Sequence, residues 1–274
     1  MSGAKLRAGV FGWPVGHSKS PRLHGHWLAR YGIDGAYEHL PAKPEAFESE
    51  VKRLASAGWR GANVTLPHKE RAFALADETT DRARAMQAAN TLIFRDGRII
   101  ADNTDGFGFI ENLKAGGAPA FDRPALVLGA GGAARAVVWS LIAEGAPEVR
   151  VANRTKSRAE ALASAFGDKV RVVDWNGRDE ATADAGLLVN TTSLGMDGQP
   201  PLEIDLGAAA QDALATDIVY TPLMTPFLRL AAERRIRTVD GLGMLLHQAR
   251  PGFAAWFGRE PEVDDRLREV MLAP

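Results

Sequence analysis

The sequence predicts an α/β protein of two α/β domains with a cleft between them, the second domain a Rossmann-like, doubly wound parallel sheet. Three observations predict it. The chain has 274 residues, more than one small core needs. Short β-like runs alternate with helical ones, the pattern of a mostly parallel sheet covered on both faces. Finally, "LGAGGAARA" (Leu128 to Ala136) follows an apolar run and opens a helical one, the context a dinucleotide-binding turn requires.

Taken in order, "LRAGVFG" (Leu6 to Gly12) reads as a strand, and "SPRLHGHWLARYGI" as a helix with Ser20 at the N-cap and Pro21 at the first helical position. "AYEHLPA" is a second strand, "PEAFESEVKRLASAG" an amphipathic helix and "GANVTLP" a third strand that Pro67 ends. "NTLIFRDGRIIADNTD" reads as a hairpin turning at Asp96-Gly97. A glycine-rich seam, "GFGFIENLKAGGAPAFDRP", then separates the two runs of elements. Beyond it come the strand and helix of "ALVLGAGGAARAVVWSLIAEG", the strand "EVRVANRT", the helix "KSRAEALASAFG", and β runs in "KVRVVDW", "AGLLVNTTS" and "LATDIVY". The tail from Gly243 reads as two helices broken between Gly258 and Pro261.

Composition closes off several function classes. Hydrophobic residues make up 46% and charged residues 24% of the chain, ordinary for a globular protein. A formal net charge of -1 provides no global field to recruit nucleic acid or an anionic membrane, so neither is an expected partner. The absence of cysteine excludes disulfides and thiolate chemistry and fits a reducing, cytoplasmic location. No signal peptide is expected, because the N-terminal residues lack a long apolar core. The most apolar region, Ala125 to Ala146, is interrupted by Arg135 and four glycines and is not a membrane span. The six histidines lack metal-ligand spacing, and no metal site is expected.

The chemistry-bearing residues gather at strand and helix ends. In the glycine turn, Gly129 makes the tight bend, Gly131 admits a pyrophosphate to backbone N–H groups, and Ala134 fills the third position. At the end of the next strand an NAD site would place an acidic residue for the ribose 2′-hydroxyl. This chain has Asn153-Arg154-Thr155 instead, with Arg158 one turn into the helix. Two cations at a helix N-terminus oppose its dipole, which points to a bound anion and to NADP rather than NAD. In the first half, "GHSKSPRLH" sets Ser18 and Ser20 at a helix start, and "NVTLPHK" ends a strand with Asn63, Thr65 and Lys69. "AANTL" and "DNTDG" each place an amide or a carboxylate beside a strand end.

Together these motifs resemble the shikimate dehydrogenase family over nearly the whole chain. "GWPVGHSKSP", "NVTLPHK", "AANTL", "DNTDG", "GAGGAARA", "NRT", "NTTSLGM", "DIVYTPLMTPFL" and "GLGMLLHQARPGFAAWFG" follow one another in the family's order. The resemblance implies NADPH-dependent reduction of 3-dehydroshikimate to shikimate, a step of aromatic amino acid and chorismate biosynthesis, by a monomer or homodimer. It implies Lys69 as the catalytic residue beside Asp105. Ser18, Ser20, Asn63, Thr65, Asn90, Tyr220 and Gln248, with Asp105, would surround the substrate. Gly129, Ala130, Gly131, Gly132, Ala133, Asn153, Arg154, Thr155, Arg158, Ile218 and Gly241 would line NADP(H), which Asp81 would approach from the other domain. The family fold implies a split first domain, 1–104 plus 241–274, around an NADP-binding domain of 105–240.

Two positions depart from the family's pattern: Gly25 stands where asparagine is usual, and Gln87 where glycine is usual. Relatives acting on quinate or other ring acids share most of these motifs, and a non-catalytic sensor on the same fold is a third reading. Such a sensor predicts damage at Lys69 or Asp105, and both are present.

Overall fold

Every residue of Gly61–Val64 is buried, the signature of a strand covered on both faces. In the computed structural model, which describes residues 5–118 and 121–273, this segment is a central strand of the first of two six-stranded sheets. Part of the glycine-rich seam, residues 119 and 120, lies outside the described residues, as do 1–4 and 274. The chain forms two units, Met1–Thr104 with Leu246–Pro274, and Asp105–Leu245.

The first unit runs β1 (Leu6–Gly12), α1 (Ser20–Tyr31), β2 (Gly35–Pro41), α2 (Phe47–Ser56), β3 (Gly61–Val64), α3 (Lys69–Ala74), β4 (Glu78–Thr79), α4 (Asp81–Met86), β5 (Thr91–Arg95) and β6 (Arg98–Asp102). Its sheet order is β2-β1-β3-β5-β6-β4. Strands β1, β2 and β3 pair in parallel, as do β4 and β6, whereas β5 is antiparallel to both of its neighbours. That reversal comes from the expected hairpin: Asp96 (φ 52°) and Gly97 (φ 74°) both take the left-handed conformation that a tight two-residue turn needs. The core packs Phe11, Phe47, Val51, Leu54, Ala62, Val64 and Leu92 between sheet and helices.

The second unit runs α5 (Asp105–Ala115), β7 (Ala125–Leu128), α6 (Gly132–Ala143), β8 (Val149–Ala152), α7 (Lys156–Phe166), β9 (Val170–Val173), β10 (Leu187–Asn190), β11 (Leu214–Asp217), α8 (Pro226–Glu233) and β12 (Arg237–Val239). All its strands are parallel, in the order β12-β11-β10-β7-β8-β9. This open parallel sheet, reversing direction of growth beside β7, has the doubly wound arrangement of dinucleotide-binding folds. Four consecutive buried residues in each of β7, β10 and β11 match a sheet covered on both faces.

The chain ends in α9 (Leu242–Gln248), α10 (Arg250–Phe257) and α11 (Asp265–Leu272). The tail therefore holds three helices where two were expected. Pro251, in the first turn of α10, cannot continue α9, and the two part at Ala249. Helices α10 and α11 return to the first unit. Trp256 Nε1 donates to the Leu92 carbonyl at 3.0 Å, and the indole of Trp27 on α1 donates to Glu262 O at 2.9 Å.

Other sequence readings need correction. Residues 105–115 of the supposed seam form α5, because Phe109, Ile110 and Leu113 recur at helical spacing and are buried. Ser20 is not the cap of α1: Lys19 occupies that position with no side-chain capping bond, and Ser20 is the first helical residue. Gln87 ends α4 in the left-handed conformation (φ 53°), which explains why glycine is usual there. The α4 entrance is capped by Thr80, whose hydroxyl accepts from the Ala83 amide.

His24 of α1 lies fully buried, its ring stacked 4.0 Å from that of Tyr37. Burial lowers its pKa from 6.5 to about 3, the Asn63 side chain opposing this only in part. The unfolded chain therefore takes up a proton near pH 6.5 that the folded chain refuses until about pH 3. The stabilisation from neutral His24 is complete above pH 6.5 and is lost as pH falls through this window, to at most about 5 kcal/mol. Urea unfolding at pH 7 and pH 4 should find that wild type loses about 3 kcal/mol more than His24→Phe between those conditions. Parallel losses in the two proteins would contradict the assignment.

Candidate active site

In the first unit, Asn63 lies in β3 with its side chain almost wholly buried. The Tyr37 hydroxyl donates to its Oδ1 at 2.6 Å, and its Nδ2 donates to Asn90 O and Thr91 Oγ1, both at 3.1 Å. Asn90 sits just before β5. Its Oδ1 accepts from the Thr104 amide (2.9 Å), the Thr104 hydroxyl (3.1 Å) and the Thr91 hydroxyl (3.0 Å). Three donors on one oxygen fix the orientation of the amide, and its Nδ2 reaches Gln248 Oε1 at 3.3 Å. Gln248, at the end of α9, thus belongs with the residues at the end of β3 and the start of β5.

Thr65 follows β3 directly, held by its amide's bond to Phe11 O at 2.9 Å. Three residues later His68 is the anchor that brings Lys69 into place. Its ring stacks 4.4 Å from Phe47, its Nε2 contacts Ala42 O at 2.8 Å, and its amide bonds Thr65 O at 3.0 Å. Burial lowers the imidazole pKa, so the ring is neutral and Nε2–H is the donor. Lys69 then opens α3, half-buried, its carbonyl accepting from the Ala89 amide at 2.8 Å beside Asn90.

Ser18 and Ser20 lie at the entrance to α1, their hydroxyls 3.2 Å apart. Neither stands at the cap position of α1, and both are half-buried there. The structure brings Ser18, Ser20, Asn63, Thr65, Lys69, Asn90 and Gln248 into the same unit. Asp81 is also in this unit, but it is highly exposed and paired with Arg84 of its own helix.

In the second unit, Gly129 follows β7 with φ 110°, a conformation strained for any other residue, and a side chain there would strike Thr191 Oγ1 at 2.6 Å. Gly131 caps α6, and at Gly131 and Gly132 the position of a Cβ is open space. Ala130 and Ala133 are half-buried beside them. These are the bare amides and the helix N-terminus that suit a pyrophosphate. At the end of β8, Asn153 Nδ2 donates to Thr155 O at 2.8 Å, shaping the turn into α7. Lys156 is paired with Asp174, whereas Arg154 and Arg158 are exposed. The glycine turn, the open helix start and two exposed guanidiniums therefore fit a dinucleotide carrying a 2′-phosphate.

Asp105 opens α5, and Ile218 and Tyr220 follow β11. Gly241 packs against that same strand end: a Cβ on it would lie 2.6 Å from both Asp217 O and Ile218 O. Burial raises the Tyr220 hydroxyl pKa, keeping it a neutral donor.

Four supporting residues were not singled out from sequence. Asp217, wholly buried at the end of β11, accepts from Asn190 Nδ2 (3.1 and 3.0 Å), Thr225 Oγ1 (2.8 Å) and the Val219 amide (2.9 Å). Burial raises its pKa, and these bonds pull it back. Thr191 Oγ1 donates to Leu128 O at 2.7 Å and walls the glycine turn. The "NTTSLGM" motif contained Asn190 and Thr191, but their partners Asp217 and Leu128 are distant in sequence. Tyr37 carried no signal beyond its strand position, and His68 none beyond its place in the "NVTLPHK" motif.

Among the described residues no group of three or more His, Cys, Asp or Glu side chains could hold a metal ion. No helix among them is long and apolar enough to cross a membrane.

Fold and site define a two-unit α/β protein with a dinucleotide turn in one unit and converging polar side chains in the other. Residues 10–92 match the shikimate dehydrogenase substrate binding domain, 117–195 the shikimate / quinate 5-dehydrogenase family, and 241–271 the shikimate 5'-dehydrogenase C-terminal domain. The chain is 58% identical to shikimate dehydrogenase (NADP(+)) of Paracoccus denitrificans, covering 97% of this chain and 95% of that one. It is 54% identical to the protein of the same name from Rhodospirillum rubrum, over 99% of each. Shikimate 5-dehydrogenase from Thermus thermophilus, solved with NADP(H) and shikimate, superposes with a TM-score of 0.86 at 41% identity, covering 97% of this chain and 98% of that one. The chain belongs to the shikimate dehydrogenase family.

Proposed function

We propose that this chain catalyses the NADP-dependent interconversion of shikimate and 3-dehydroshikimate, as a step of aromatic amino acid and chorismate biosynthesis in the cytoplasm. The observation that carries this reading is the cluster of Asn63, Thr65, Lys69, Asn90 and Gln248 at converging strand and helix ends, with Ser18 and Ser20 in the same unit. A ring bearing three hydroxyls and a carboxylate needs such a set of neutral donors and acceptors around one cation. The relatives named for shikimate dehydrogenation with NADP(+) support the same substrate and cofactor.

Each residue then has a role. Ser18 and Ser20 hold the ring carboxylate through their hydroxyls, while Thr65, Asn90, Gln248 and Tyr220 meet the ring substituents. Asn63 meets the ring through its remaining acceptor capacity, since both its amide hydrogens are engaged within the protein. Gly129 to Ala133 and Gly241 receive the dinucleotide backbone, Ile218 lies along it, and Asn153, Arg154, Thr155 and Arg158 hold the 2′-phosphate end. Asp81 approaches the cofactor only if it leaves its pair with Arg84. NADP(H), when bound there, would supply or accept the hydride. Lys69 delivers the proton that the substrate oxygen takes as the ketone becomes an alcohol, and recovers it in the reverse direction. Asp105 acts with Lys69 on the same hydroxyl.

Removing one arginine separates phosphate recognition from folding. Arg154→Ala should weaken NADPH by about 1.5–3 kcal/mol, the size of a lost hydrogen bond to a charged group. NADH should change little. Fluorescence titration with both cofactors measures this, and equal weakening of the two would contradict a phosphate role.

The reaction itself is tested at Lys69 and Asp105. Lys69→Ala should lower kcat by roughly 10²–10⁴, with NADPH affinity near wild type. Asp105→Asn should also lower kcat, and the double variant should lose less than the product of the two single losses. A Lys69→Ala enzyme keeping more than about a tenth of wild-type kcat would sink the proton-transfer role.

A further inference from the structure

Helix α5 does more than carry Asp105 at its first position. Asn112, two turns further along, is buried at 6% exposure. Seven residues are nearly two whole helical turns, so Asp105 and Asn112 share a face about 10 Å apart. The Asn112 carboxamide is built into the turn between β12 and α9. Its Nδ2 donates to Asp240 O at 2.7 Å. A Cβ placed on Gly243 would come within 1.8 Å of its Oδ1, so only glycine lets the carboxamide enter. The Asp240 carboxylate meanwhile accepts from the Leu242 amide at 3.0 Å, closing the turn on itself. Gly241, which packs on the end of β11, lies between these two anchors.

We propose that Asn112 is a positioning residue: its carboxamide fixes the Asp105-bearing helix to the 240–243 turn, and so sets Asp105 and Gly241 in one register. This rests on the roles given above to Asp105 in proton handling and to Gly241 at the dinucleotide. A buried amide suits the task because it has hydrogen-bond directionality without charge. An apolar side chain of similar volume would take this donor away from the Asp240 carbonyl, and an aspartate would set a carboxylate against it. Misplacement of about 1 Å far from the reacting atoms can cost as much as 100-fold in rate.

The test is a double-variant cycle on the full chain, with Asn112→Ala, Gly243→Ala and the pair, plus Asn112→Asp as an isostere without the N–H donors. Shikimate-dependent NADP+ reduction gives kcat and both KM values, and fluorescence titration gives the NADPH Kd. Each single variant should lower kcat and raise the NADPH Kd by about tenfold, while KM for shikimate stays near wild type because most of its contacts belong to the first unit. The double variant should lose clearly less than the product of the singles, since the methyl group added at position 243 enters the space that truncation at position 112 vacates. If Asn112→Ala does not fold, Asn112→Asp and Gly243→Ala carry the same expectations. Kinetics and Kd within about twofold of wild type in either single variant, or strict additivity in the pair, would overturn the proposal even if thermal stability fell. A wild type that binds NADPH but does not turn over shikimate would overturn the proposed function instead, and the NADPH Kd cycle would still decide the role of Asn112.

Discussion

Much of the first unit depends on the buried carboxamide of Asn90. Its backbone N–H donates to the Asp102 carbonyl at the end of β6, and its own carbonyl accepts from both the Val64 amide and the Asn63 side chain at the end of β3. Its side chain meanwhile gathers Thr91, both donors of Thr104, and Gln248. Each bond is worth only about 1 kcal/mol net, but leaving several of these groups buried and unpaired would cost about 1–3 kcal/mol apiece. The cost falls on the ends of two strands and the start of a third together. Lys69 is tied into the same place by its carbonyl's bond to Ala89.

The second unit solves the corresponding problem with Asp217. Parallel strands leave their C-terminal ends beside loops, and those loops must be held open for a ligand without collapsing onto it. Asp217 ties the end of β10 to the loop after β11 and to the cap of α8, because Thr225 both bonds the carboxylate and caps that helix. On the other side, Thr191 presses against Gly129, so the glycine turn has little room to relax. Polar groups that look like ordinary turn residues singly are thus internal scaffolding.

This division explains what the sequence made legible. The Asp96-Gly97 hairpin and the glycine turn of β7 and α6 were readable because local chemistry dictates them: both need left-handed backbone at fixed offsets. Arg154 and Arg158 stood out against their helix dipole for an equally local reason. Helix α5 was concealed by its glycines, although its apolar spacing was helical. Short β4 was invisible, being set by long-range pairing with β6. Ser20 misled because a serine before a proline is an ordinary helix start, and only the structure places the cap one residue earlier. The sites of Asn63, Asn90 and Gln248 followed from motif resemblance. That Asn63 spends its donors inside the protein could not be read without knowing that Thr91 lies opposite it across the β3–β5 pair.

If these two sets of strand ends serve a polyhydroxylated ring acid and a 2′-phosphorylated dinucleotide, both preferences must appear in one assay. Initial rates of cofactor reduction by the wild-type chain, with shikimate or quinate and with NADP+ or NAD+, provide it. Turnover is expected with shikimate and NADP+, with kcat/KM at least about tenfold lower for NAD+, the factor that one lost charge-assisted bond is worth. Absence of shikimate turnover, or equal efficiency with NADP+ and NAD+, would contradict this assignment.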